Sequence, residues 1–151
     1  MTNLRERLGQ GDTRKKVVAD ACEVLDQEVA GKPGLGGVAI RGAYSIVKNI
    51  KPGFIAEVVD GLLDDFLDVL DPFCQEAVQK AQPAGNYVAA NGEQVAEKLL
   101  AITDQRAARS SRAVIRKTYD KLRPTAIKHV AAAMPRLGQL LDRHLSRTPA
   151  S

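Results

Sequence analysis

From Asp12 to Leu145 the apolar side chains return at three- and four-residue steps, which places them along one side of a helix and leaves charge for the other side. Val17, Val18, Ala21, Val24, Leu25 and Val29 hold that phase, while Lys15, Lys16, Asp20, Glu23 and Gln27 fall opposite. No stretch keeps the two-residue alternation of a half-buried strand, and the β-branched pairs at 17–18 and 58–59 sit inside helix-phased windows. The expected fold is therefore all-α, a single-domain bundle of roughly six to eight helices joined by short loops. With 151 residues, 44% apolar and 26% charged, the chain has ordinary globular usage and the length for one core. Residues 1–147 are expected to form that domain and 148–151 a frayed tail.

Local signals set the expected boundaries. Asn3 followed by Glu6 fits a capping box for a short helix to about Leu8, and Asp12 is the expected cap of the first long helix, closed by Gly31, Pro33 and Gly34. Leu35 to Ile50 reads as a central helix whose small middle residues, Ala39, Gly42 and Ala43, let a neighbour approach. After the Lys51-Pro52-Gly53 break, a helix begins with Phe54 and carries Glu57, Asp60, Asp64, Asp68 and Asp71 along one outer side. Asp71 and Pro72 are expected to cap a new short helix to about Ala81, and Pro83 to Gly85 to form a loop. Asn91, with Gln94, is the expected capping box of the next helix, which fades at Ser110 and Ser111. A helix through Tyr119 and Leu122 follows to the Arg123-Pro124 boundary, and the last helix is expected to be kinked or split by Pro135.

Three stretches carry a likeness: GLGGVAIRGAYSIVKNIKPGF (34–54), TDQRAARSS (103–111) and YDKLRPTAIKHVAAAMPRLG (119–138), together with the opening TNLRERL. With them the chain resembles a family of small, all-helical bacterial proteins, actinobacterial and related, that constitutes a domain of unknown function. The likeness runs over nearly the whole chain and implies one helical domain. It implies no activity, substrate or cofactor.

Catalytic raw material is thin. Nucleophilic catalysis needs a nucleophile beside an oriented base, but His129 and His144 lie about four turns apart, with Asp142 alone among the carboxylates near either in sequence. Both histidines read as surface or partly buried helix residues. Cys22 and Cys74 lack CxxC spacing and fall in apolar phases, so each reads as a buried small hydrophobe. No Glu-x-x-His motif appears, and Gly34 to Gly37 lack both the preceding strand and the Gly-Lys-Ser/Thr of a phosphate loop. The expectation is a protein that is not an enzyme, with no cofactor and no metal.

Charge is distributed unevenly. Met1 to Gly53 carries 9 basic and 6 acidic residues, Phe54 to Asp104 carries 2 and 10, and Gln105 to Ser151 carries 11 and 2, giving balances of +3, −8 and +9. Arg106, Arg109, Arg112, Arg116, Lys117, Lys121, Arg123 and Lys128 thus form a candidate basic interaction surface. The favoured expectation is a helical interaction or scaffolding protein with a protein partner or self-association. Nucleic-acid binding through region 106–128 is the first alternative, although Tyr119 is the one aromatic there for stacking. The second is peripheral lipid or apolar-ligand binding through the 35–54 helix. No transmembrane segment or secretory leader is expected, which points to the cytoplasm.

Overall fold

In the computed structural model residues 3–147 are described, and within them the chain forms eight α-helices and no strand. Asn3 starts α1 (Leu4–Leu8) as expected, its Oδ1 accepting the Glu6 amide at 2.9 Å. α2 (Gly11–Gly31) begins two residues earlier than the sequence suggests, with Gln10 rather than Asp12 at the cap. Gly11 turns the chain at φ +58°, a conformation that costs glycine little, so Asp12 falls in the first turn, where its charge faces the positive helix end.

α3 (Gly34–Lys48) is not the central helix its apolar content suggests. Gly37 is its one buried residue, and Leu35, Val38 and Ile46 are 88%, 59% and 51% exposed. α4 (Phe54–Gln79) passes through Pro72 without a break. The proline forfeits one helical hydrogen bond, but Leu70, Phe73, Cys74 and Ala77 on either side of it are buried and keep the helix seated. Asp71 does not cap a new helix; its carboxylate accepts the Leu4 amide at 3.0 Å and the Gln75 side-chain amide at 2.7 Å.

The expected loop near Pro83 instead leads at once into α5 (Ala84–Ala90), which seats Tyr87 and Val88 in the core. Asn91 does precede α6 (Gly92–Ala108), but its amide donates back to the Tyr87 carbonyl at 2.8 Å, so no capping box with Gln94 forms. α7 (Ala113–Leu122) is followed by a 3₁₀ turn over Arg123–Thr125 and then α8 (Ala126–Arg147), which Pro135 does not split. The expected tail at 148–151 lies outside the described residues.

Burial divides the molecule into two ends. In α4 the buried residues start at Leu63, in α8 at Met134, and α5 and α6 supply Tyr87, Val88, Val95 and Leu99 beside them. Leu4 and Leu8 of α1 and Val17 of α2 close this packed end. At the other end, α2 beyond Val17, the first turns of α4 and α8 and all of α7 hold no buried residue. One end is thus a dense core, and the other a looser layer in which α3 and α7 lie side by side over the remaining helices.

Candidate functional site

The eight basic residues of the predicted surface do not act as one unit. Arg106 on α6 reaches Asp65 at 3.2 Å, and Arg123 holds Asp104 through Nε at 2.8 Å. Arg112 stands over the Phe54 ring at 5.4 Å, and Arg116 donates to the Ser110 carbonyl. Among the described residues no carboxylate lies in ion-pair contact with Arg109, Arg112, Arg116, Lys117, Lys121 or Lys128, and all six are exposed.

The acidic side of α4 is neutralised from elsewhere. Arg14 of α2 binds Asp60 and Asp64, each at 2.8 Å, and Arg5 of α1 binds Asp68. These aspartates therefore form a seam with the N-terminal helices, and most of the bases on α7 remain without an internal partner. A polar cleft of about 600 Å³ beside this seam is lined by Asp65, Asp68, Arg106 and Arg109, where the Arg106–Asp65 pair already joins charge to charge.

The looser end contains two adjoining apolar spaces. A cavity of about 490 Å³ lies between α2 and α8 under α3 and α7, walled by Val24, Ile40, Ala43, Leu122, Ala133 and Leu137 among others. A second, of about 420 Å³, is bounded by Phe54, Val58, Leu62 and Ile115. The two share Val47, Thr103, Thr118, Tyr119 and Leu122, so they meet where α3 crosses α7. Volumes of this order are typical of small-molecule sites.

Polar groups around the cavity are mostly satisfied by the protein itself. Tyr44 donates to Asp26 at 2.6 Å; burial, reinforced by this carboxylate, drives its phenol pKa upward. Tyr119 donates to Asp104 and lies 2.7 Å from the Thr103 hydroxyl, and burial with that Asp104 bond pushes its phenol up to about 12. Asp104 is held below the usual carboxylate range by Arg123 first and Tyr119 second. Lys32, though nearly buried, reaches Glu28 at 3.0 Å and the His129 carbonyl at 3.1 Å. The His129 ring lines the cavity with no hydrogen-bond partner among the described residues, and burial, followed by the charges of Lys32 and Lys128, lowers its pKa and favours neutral imidazole. The walls thus offer apolar contact, with the His129 ring and the Thr118 hydroxyl as neutral polar groups.

His144 corrects the sequence reading. It is 1% exposed, in the packed end, with Nε2 2.7 Å from Asp20 on α2. Burial pushes Asp20 up, but hydrogen bonds and charge from His144 and Arg143 outweigh it and hold the carboxyl below its ordinary value. The pair joins α2 to α8 across 124 positions of sequence, a separation that no local spacing signals. Cys74 is buried as expected, whereas Cys22 is half-buried; both are free. No three of His, Cys, Asp and Glu gather into a metal-binding group among the described residues, and no helix there is long and apolar enough to cross a membrane.

A model of DUF6918, described as a family of unknown function, matches residues 4–145, in line with the likeness read from the sequence. No curated protein and no solved structure matches the chain.

Proposed function

The chain belongs to DUF6918, whose function is unknown, and from its geometry we propose a non-catalytic binding protein that takes an apolar molecule into the cavity beneath α3 and α7. The observation that carries this reading is the 490 Å³ apolar space at the end of the bundle where α7 and most of α3 bury nothing. A guest rich in CH₂ or ring carbon gains by leaving water, and it leaves few protein hydrogen bonds unmade because Tyr44, Tyr119 and Lys32 are already paired. His129 supplies a neutral imidazole for a single hydroxyl or carbonyl on that guest.

The test is binding of a solvatochromic apolar dye to the full chain, with displacement by long-chain alcohols. Wild type is expected to bind and Ala43→Phe, which drives a ring into the cavity, to lose binding while keeping its helical circular dichroism. Absence of dye binding by wild type, or equal binding by Ala43→Phe, overturns the reading.

The unpaired bases on α7 support a second reading, an interaction surface for a negatively charged partner. Lys117→Gln/Lys121→Gln should weaken retention on a cation exchanger more than Lys15→Gln/Lys16→Gln, which removes the same charge from α2. Equal effects would mean that net charge, not this surface, governs retention. Two free cysteines support a reducing, cytoplasmic setting for both readings.

A further inference from the structure

α3 carries apolar residues on two sides that lie about 125° apart at ~100° per residue. Ile40, Ala43 and Val47 face the cavity. At about 100° per residue, Leu35, Val38 and Ile46 fall together on a second side turned out of the cavity, and all three are exposed. Scattered surface leucines are ordinary, but several sharing one helix face mark a surface that meets something.

α7 lies beside α3 and likewise turns Ile115, Tyr119 and Leu122 toward the cavities. The outer sides of both helices therefore belong to one face of the molecule. To it α7 adds Lys117 and Lys121, both exposed, with Val114 at 41% exposure one turn before Lys117 on the same side of the helix. Asp120 is the acidic residue α7 places there, and Lys48 at the far end of α3 reaches toward Asp26 at 3.9 Å. The remaining charge on this face is positive.

We propose that the face built from the outer sides of α3 and α7 docks on an anionic phospholipid bilayer, with Leu35, Val38 and Ile46 at the acyl boundary and Lys117 and Lys121 on lipid phosphates. This rests on the reading of α7 as a surface for a negatively charged partner and names that partner. Nucleic acid satisfies the lysines alone: the stripe on α3 is aliphatic and offers bases nothing to stack on. A bilayer matches both halves of the face at once, because its interface offers negative charge directly above hydrocarbon. The helix that would touch lipid is also the wall of the apolar cavity, so guest and membrane would meet at α3.

Co-sedimentation of the full chain with phosphatidylcholine vesicles, and with vesicles of equal phosphatidylcholine and phosphatidylglycerol, tests this. Partition onto the mixed vesicles alone, weakening with salt, is expected. Lys117→Gln/Lys121→Gln should lower it roughly five-fold per lysine at low salt, and Leu35→Gln/Ile46→Gln should lower it at least ten-fold. All four side chains are exposed, so both variants should keep wild-type circular dichroism.

No partition onto mixed vesicles overturns the bilayer; if the lysine variant still loses cation-exchange retention, the anionic-partner reading survives without it, and if not, both fall. Wild-type partition by Leu35→Gln/Ile46→Gln, or duplex DNA that displaces the protein from vesicles and binds that variant undiminished, also overturns it. Dye binding measured without vesicles reports on the cavity separately.

Discussion

The contrast between the two ends of the bundle predicts that one substitution, alanine to leucine, changes sign with position. Ala43 lies on the cavity wall, whereas Ala77 is 0% exposed among Leu70, Phe73 and Tyr87. Leucine adds three carbons, and at ~0.8 kcal/mol per buried methylene their complete burial would contribute ~2.4 kcal/mol. The cavity opens to solvent on one side, so about half of that, ~1 kcal/mol, is the expected stabilisation for Ala43→Leu. For a chain of this size that raises Tm by roughly 2–4 °C. The same carbons at Ala77 must displace packed neighbours and should destabilise by about 1–3 kcal/mol. Leucine and alanine are both good helix formers, so propensity cannot produce the sign change. Urea unfolding followed by circular dichroism, with calorimetry for Tm, measures both variants. If Ala43→Leu destabilises as much as Ala77→Leu, the inner side of α3 is already packed and the cavity argument fails with it.

Three further outcomes follow from the geometry. A Cβ on Gly85 would collide with the Gly138 carbonyl and the Asp142 carboxylate, so Gly85→Ala should force α5 off α8 and lose at least ~2 kcal/mol in urea unfolding; a loss under ~0.5 kcal/mol would show that the two helices slide freely. Asp20 titrates lower in the folded chain than unfolded, so its ionised form adds stability above its unfolded value of ~3.9, and that stability is lost as pH falls through the folded value. Asp20→Asn should flatten that part of the acid limb of a urea-midpoint profile, and an unchanged limb would remove the pair from the acid response. Cys74 is 7% exposed with its thiol pushed up to about 12, chiefly by burial, so a disulfide reagent should label Cys22 first and Cys74 only as the protein unfolds.

Helix content and most boundaries were legible because they rest on local chemistry. Gly53 at φ +74° ends the Lys51-Pro52 break, and Asn3 caps α1 through its own side chain. The misreadings came where tertiary packing outweighed a local signal. Asp71-Pro72 is a good start signal, but buried residues on both sides hold α4 through it. In α5, seven residues that include glycine and asparagine are too short to show a period, and the helix is seated by backbone contact between Gly85 and Gly138. Apolar content could not tell wall from centre in α3, since a helix with two apolar sides has the composition of a buried one.

Charge shows the same limit at longer range. Segment balances of −8 and +9 invite the inference that the acidic middle pairs with the basic end, and Arg106–Asp65 and Arg123–Asp104 are pairs of that kind. Yet the tightest contacts to α4 come from Arg14 and Arg5, because α1 and α2 pack along its acidic side while α7 lies over its first turns. A carboxylate held by a bidentate or paired arginine has little left to offer a distant lysine. The surplus on α7 therefore follows from which helices are neighbours, not from net charge. It falls beside α3, the helix with apolar groups to spare on both its inner and outer sides, and that placement brings cavity, aliphatic stripe and unpaired lysines to the same end of the bundle.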